Sequence, residues 1–329
     1  MKIYLDKSPL TDMNKLRGVG VYTKNLYEAL RIKGVDFVET ISRADIIHFP
    51  YFNPFFVTLP IFNRKKTVVT VHDLIPIKFS QRFPRGIKGE IKWQIQKWKL
   101  RKIEAIITDS ECSKRDIVEF TKIDPQKIHV IYLAPNKEFQ KYNAEKQNYL
   151  LYVGDVNWNK NIPGLIMAFN NLIKKSVNLQ LKLVTQGLLN DCLETREIQR
   201  LIERLGIKDR IQIINNLDIA GLVKLYNEAL VYIQPSFYEG FGLPVLEAMA
   251  CGCPVISSNQ GSLPEIYGEA ALTFNPYTEG ELEKVVLKLI EDEKMRNELI
   301  KKGKIQVDKF SWDKTAKETI DVYKSILNF

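Results

Sequence analysis

The chain has little histidine and little cysteine: three His and four Cys in 329 residues. Cys112, Cys192, Cys251 and Cys253 are irregularly spaced, with no His or Cys cluster beside them. That argues against a structural zinc site and leaves the Cys-Gly-Cys at 251–253 as small packing residues in a reduced, cytoplasmic protein. No apolar run approaches the roughly 20 residues that a bilayer crossing needs, and the opening MKIYLDKSPL lacks the apolar stretch of a secretory signal. Asp-x-Asp, which could hold a divalent cation on a diphosphate, is missing, as are a Walker loop and His-Glu-x-x-His. Low-complexity tracts and short-period repeats are absent too.

What is present is a chain that can fold. It is 45% hydrophobic and 10% aromatic, enough for real cores, and its length suits two domains of ordinary size. Its net charge of +9 is unevenly held. Residues 1–147 carry 27 Lys/Arg against 16 Asp/Glu, and residues 148–329 carry 21 against 23. The basic excess belongs to the first half alone, which suits a solvated basic face or an anionic partner such as a membrane surface, a phosphorylated acceptor or nucleic acid.

Short runs rich in Val, Ile and Leu recur along both halves: KIYLD, ADIIHF, KTVVTVHD, AIITDS and KIHVIY, then NYLLYVGDV, LQLKLVT, RIQIIN, ALVYIQPS, CPVISS and AALTF. They show little alternation, as expected of strands buried on both faces of a parallel sheet. Helical patterns fall between them, including SKRDIVEFTK, IPGLIMAFNNLIKKS and one long helix over ELEKVVLKLIEDEKMRNELIKKG. The expectation is an α/β chain of two doubly wound, Rossmann-like domains, over 1–147 and 148–311, facing a central cleft. The polar stretch NKEFQKYNAEKQ (136–147) is the expected hinge. Ligands of such sheets bind outside the carboxyl ends of the strands, so motifs that follow a strand carry the weight.

The strongest is SFYEGFGLPVLEAMACG (236–252), after the strand ALVYIQPS. Pro244 suits the first helical position and Gly252 the stop. Gly240 and Gly242 let backbone approach a ligand, and the amides of Phe241, Gly242 and Leu243 sit at the positive end of a helix, where an anion is favoured. Glu239 is placed to accept hydrogen bonds from sugar hydroxyls, and Glu247, further along the helix, to take the two hydroxyls of a ribose. Sugar, diphosphate and ribose in sequence describe a nucleotide sugar; the bland alternative is a capped surface helix with incidental acids. Lys160, in YVGDVNWNKN, can reach a diphosphate with its ammonium. RGVGVYTKNL (17–26) reads as a loop in which Gly18 and Gly20 would let backbone amides cradle phosphate, although such glycines often serve only packing. His72, ending the strand of VVTVHDL, is expected as a neutral imidazole available to a sugar hydroxyl or acceptor. With no cation site, the charge of a leaving diphosphate falls to the helix dipole and Lys160.

These segments, together with TDSECSKRDI and SLPEIYGEAALTFNP, resemble the retaining glycosyltransferases of family four, close to the mannosyltransferase-like group, over almost the whole chain. The resemblance implies the GT-B fold and transfer of a hexose, such as mannose, from a GDP- or UDP-linked donor to a glycan or lipid-linked acceptor. Anomeric configuration is retained, and neither metal nor cofactor is needed beyond the donor. It places Glu239 beside the donor sugar, Glu247 on the ribose, Lys160 on the diphosphate, Gly18 and Gly20 in the N-terminal glycine loop and His72 in the cleft. It implies that the departing phosphate itself helps deprotonate the acceptor, and that a last helix of about 312–329 crosses back to the first domain. In one respect the chain departs from the pattern: the arginine that usually accompanies the lysine is replaced, its usual places being Asp155 and Asn159.

Two rival readings remain. One keeps the fold and changes the reaction to a nucleotide-sugar epimerase or phosphorylase-like enzyme, which would turn over without an acceptor. The other is a basic nucleic-acid-binding protein, for which only RFPRGIKGEIKWQIQKWKLRK (82–102) has the needed aromatic and basic residues. In that segment Ile87, Ile91, Ile95 and Trp98 form one helical stripe flanked by lysines. The expected arrangement packs the stripe on the first domain's sheet, and the alternative sets it against an anionic membrane.

Overall fold

A computed structural model describes residues 1–10, 18–60, 65–175, 177–185 and 192–327. The chain divides into two compact units, one of Met1–Ala134 with Phe310–Phe329 and one of Pro135–Lys309.

The first unit carries the strands β1 (Lys2–Leu5), β2 (Asp36–Phe37), β3 (Ile46–Phe49), β4 (Lys66–Thr70), β5 (Ala105–Thr108) and β6 (Ile128–Val130). They pair in parallel in the order β2-β1-β3-β4-β5-β6. Every residue of β3 and β5 is buried, which is why those runs show no polar alternation: helices cover both faces. The helices are α1 (Gly18–Ile32), α2 (Ile75–Lys78), α3 (Gly86–Leu100) and α4 (Glu111–Thr121). The Ser110 hydroxyl starts α4 by accepting from the Ser113 amide at 3.0 Å, and Lys122, in the left-handed region at φ 59°, ends it.

The second unit carries β7 (Gln147–Val153), β8 (Gln180–Val184), β9 (Ile211–Ile214), β10 (Ala229–Gln234), β11 (Val255–Ser258) and β12 (Ala271–Phe274), in the order β12-β11-β10-β7-β8-β9 and again parallel. Its helices are α5 (Ile162–Lys174), α6 (Leu193–Leu205), α7 (Ile219–Glu228), α8 (Leu243–Ala250), α9 (Leu263–Tyr267), α10 (Glu281–Glu291) and α11 (Glu293–Val307). Leu150, Leu181, Ile166, Phe169, Val231 and Val286 are fully buried in one core, and each such side chain stabilises the fold by about 1.5–3 kcal/mol relative to exposure.

Three details differ from the sequence expectation. The long helix over 281–303 is two helices, because Asp292 turns extended and its carboxylate caps the second by accepting from Met295 N at 2.8 Å. The 136–147 stretch belongs with the second unit, since Asn227 fastens it: Tyr142 N donates to Asn227 Oδ1 at 2.9 Å, and Asn227 Nδ2 to Gln140 O at 3.0 Å. A last helix, α12 (Trp312–Leu327), packs on α1 within the first unit and places Tyr323 Oη 2.6 Å from His48 Nδ1.

The stripe of α3 is the third difference. It does not pack on the sheet: Ile87, Ile91, Ile95 and Trp98 are exposed, and α3 instead buries Gly89, Trp93, Gln96, Lys99 and Leu100. The reason is local. Gln96 and Lys99 find buried acceptors beneath the helix, Gln96 on Thr58 Oγ1 at 2.8 Å and Lys99 on Leu59 O at 2.5 Å, so that face is satisfied and turned inward. Among the described residues no helix is long and apolar enough to cross a membrane.

Candidate functional site

In the second unit β7 and β10 are parallel neighbours, so the loops at their carboxyl ends emerge side by side. Gly154 turns the chain out of β7; a Cβ there would lie 2.7 Å from Tyr152 Oη, and that hydroxyl instead donates to Asp155 O at 2.8 Å. The two loops then run together in step. The rings of Trp158 and Phe237 stack at 5.1 Å, and Phe237 stacks in turn on Tyr277 at 5.1 Å. Phe237 N donates to Asn159 O at 2.7 Å, and Asn159 Nδ2 to Tyr238 O at 3.0 Å. The next pair is Lys160 and Glu239, with Nζ 2.9 Å from Oε1 and 2.8 Å from Oε2.

Asn159 therefore answers the departure noted in the sequence. It is buried and ties one loop to the backbone of the other, a place where a guanidinium would lack both room and solvent. Asp155, the other place where arginine would be usual, is exposed.

Glu239 is only 5% exposed, so its charge must be met inside the protein. Besides Lys160, Oε1 accepts from Gln234 Nε2 at 2.8 Å and from Ser236 Oγ at 2.6 Å. Gln234 is oriented by Tyr232, whose hydroxyl donates to Gln234 Oε1. The loop is also braced from behind. Ser262 Oγ donates to the carbonyls of Glu239 and Phe241 at 3.0 and 2.8 Å, and Ser258 Oγ to Ser236 O at 2.6 Å. Gly261, at φ +64°, passes so close that a Cβ would lie 2.7 Å from Glu239 N.

Gly242 then caps α8 in the left-handed region at φ 103°, and a Cβ on it would lie 2.7 Å from Leu263 Cδ2. Gly240, Phe241 and Gly242 are buried and Leu243 is half-buried at the helix's positive end. Glu247, at the start of the second turn, is half-buried and accepts from Tyr226 Oη of α7 at 3.1 Å. Burial pushes its carboxyl up to about 7, although the tyrosine hydrogen bond works against that rise.

The other expected residues lie in the first unit. Gly18 and Gly20 are not loop residues but stand inside the first turn of α1, while Arg17 of the same motif lies outside the described residues. His72 follows β4, and its ring differs from the neutral, ligand-facing imidazole expected. Nδ1 is 2.6 Å from Asp109 Oδ2, and Nε2 is 3.2 Å from Pro50 O. A carboxylate and a carbonyl can only accept, so the arrangement favours a ring that donates from both nitrogens, the cationic form. Burial alone would lower the ring's pKa, but the charge and hydrogen bond of Asp109, with Asp73 and the Pro50 carbonyl, together raise it above the ordinary histidine value. Tyr22 meets the ring edge-on at 4.7 Å.

The structure thus joins Lys160 to Glu239 directly and gives Glu247 a separate partner. Gln234, Ser236, Tyr226 and Asp109 were not foreseen. A glutamine ending the otherwise apolar ALVYIQ and an aspartate ending AIITD were the available signals; Tyr226 gave none.

A family model described as glycosyl transferases group 1 matches residues 135–306, nearly the whole second unit, and one described as glycosyltransferase family 4 matches residues 36–135. The O-antigen chain mannosyltransferase B of Escherichia coli is 29% identical over 272 residues, covering 79% of this chain and 70% of the relative. The serotype-specific mannosyltransferase WbdA of Escherichia coli is 30% identical over 277 residues, covering 80% of this chain but only 34% of the relative. Among solved structures, HepE of Anabaena in complex with UDP-glucose superposes with a TM-score of 0.75 at 15% identity, covering 100% of this chain and 99% of that one. That likeness extends to the GT-B fold.

Proposed function

Since the chain belongs to the group 1 glycosyl transferases, we propose that it moves a hexose, with retention of anomeric configuration, from a nucleotide diphosphate sugar to a glycan or lipid-linked acceptor. The observation that carries the reading is the Lys160–Glu239 pair, set by two adjoining loops just ahead of the positive end of α8. Charge develops on the departing diphosphate as the glycosidic bond breaks. In this proposal the Gly242 and Leu243 amides and the Lys160 ammonium receive it, so no metal or other cofactor is called for. Glu239 Oε1 already accepts from three donors, whereas Oε2 accepts from Lys160. Oε2 is therefore the oxygen that takes a hydroxyl of the donor sugar, beside Gly240 and Phe241. Glu247, ionised, accepts from the ribose diol.

The second unit is accordingly the donor-binding domain and the first the acceptor-side domain. There His72 supplies fixed positive charge rather than a neutral acceptor nitrogen, and Gly18 and Gly20 leave the first turn of α1 free of side-chain bulk. The departing phosphate takes the acceptor's proton, which needs no protein nucleophile. Mannose is the proposed sugar, supported by the names of the Escherichia coli relatives; the nucleotide is a guanosine or uridine diphosphate. The location that goes with this reading is the reducing cytoplasm, at a membrane surface where lipid-linked acceptors are held.

A thermal-shift panel of UDP-, GDP-, ADP- and dTDP-sugars tests the donor, because a ligand that binds only the native state raises Tm by mass action. One nucleotide class should raise Tm in the wild type and much less in K160A, with turnover undiminished by EDTA. A flat panel would remove the nucleotide-sugar reading, and turnover without any acceptor would favour the epimerase or phosphorylase reading.

A further inference from the structure

We propose that the outward face of α3, together with the loop at residues 53–58, is a docking surface for an anionic lipid bilayer. This rests on the membrane-associated location above and gives it a site. The four residues of the stripe recur at one face of a helix, and all four stand in solvent: Ile87 at 83%, Ile91 at 55%, Ile95 at 41% and Trp98 at 50% exposure. Phe56 and Val57, in the loop that α3 packs on, are also exposed, at 64% and 55%.

That loop is fixed, not loosely placed. Buried Gln96 of α3 donates from Nε2 to Asn53 O at 3.2 Å, to Thr58 Oγ1 at 2.8 Å and to Phe56 O. α3 thus carries a ridge of four exposed apolar side chains, with Phe56 and Val57 exposed on the loop beside it, more than scattered surface residues require.

Charge selects the occupant. Residues 82–102 hold eight Lys or Arg and one acid, Glu90, which Arg85 pairs at 2.6 Å. Lysines lie along the ridge with their ammonium groups over its rings: Lys92 Nζ is 5.5 Å from the Phe56 centroid, and Lys102 Nζ 3.5 Å from that of Trp98. Apolar side chains rimmed by lysine, with a tryptophan at one end, match the boundary between acyl chains and anionic headgroups. A protein partner would have to cover the same lysines with acids, and a second copy of this basic face would repel it.

The test is vesicle flotation of the full chain with phosphatidylcholine alone and with about one third phosphatidylglycerol, which needs neither donor nor turnover and so stands apart from the test of the sugar-transfer reading. The wild type should float with the anionic vesicles, less so as salt rises, and remain behind with neutral ones. I91E/W98E and K88E/K92E should each lower the bound fraction at least tenfold with unchanged circular dichroism and Tm. Equal binding to both vesicle types, no binding, or undiminished binding by I91E/W98E would overturn the proposal. So would a wild-type dimer on size exclusion that I91E/W98E makes monomeric, since the face would then belong to a second copy.

Discussion

Gln234 Nε2 lies 2.8 Å from Glu239 Oε1, and the hydroxyl of Tyr232 fixes which end of the amide faces the carboxylate. In the proposed reading, this interior glutamine at the end of β10 is a positioning residue: with Ser236 and Lys160 it fills Oε1 of Glu239, and Oε2 keeps Lys160 alone. Q234L keeps the volume and removes the donor, so turnover should fall about tenfold, the equivalent of roughly 1.4 kcal/mol. Because Gln234 acts through the carboxylate, the loss should shrink in an E239Q background; strictly additive losses in the double-mutant cycle would make its role merely structural.

E239Q itself keeps the shape and removes the charge that Lys160 answers. Turnover should drop on the order of a hundredfold or more, and stability by about 1–3 kcal/mol, as expected when a hydrogen-bonded buried charge loses its match. Steady-state kinetics with urea unfolding of the same preparation separates the two. Wild-type turnover in E239Q would remove Glu239 from the chemistry.

In the proposed reading, Glu247 gives donor binding a pH dependence. Its folded pKa of about 7 is above the ordinary 4.5, so the folded state holds the proton more tightly, and this group's contribution to stability declines as pH rises from about 4.5 to about 7. Binding runs the other way, because a ribose diol donates to the ionised form. Donor affinity should therefore weaken as pH falls below about 7, and E247Q should flatten that limb in a titration calorimetry series.

Asp109 holds His72 cationic. A histidine whose pKa is raised on folding contributes stability that is fully present below the ordinary 6.5 and is lost as pH rises through the folded value. D109N should abolish this decline and cost about 1.5–3 kcal/mol at pH 6, the usual worth of a charged hydrogen bond. Chemical denaturation at pH 6 and pH 9 measures both effects.

G242A should cost about 1–3 kcal/mol, because the position has positive φ and its Cβ would press on Leu263. A thermal melt within a degree of wild type would contradict this.

The fold was readable from sequence because parallel strands buried on both faces leave unbroken apolar runs; only β2, two residues long at a sheet edge, left none. Within the site, Lys160, Glu239 and Gly242 were visible because each follows a strand or opens a helix. Their supports were not, because Gln234 looks like any strand residue until its neighbour across the loop is known, and Tyr226 comes from another helix. The direction of the α3 stripe was misread for a related reason: periodicity shows that a helix has two faces, but Gln96 and Lys99 decide which one turns inward, through acceptors some 40 residues away in the chain.

Lys160 and Glu239 are 79 residues apart in sequence and meet only because β7 and β10 lie side by side. A chain that ends with β9 holds the lysine loop without its counterpart, so the pair can form only once β10 and the loop after it are present. Any chain truncated before residue 239 should transfer no sugar at all, and because the truncation also removes α12 it strips the first unit of the helix that packs on α1.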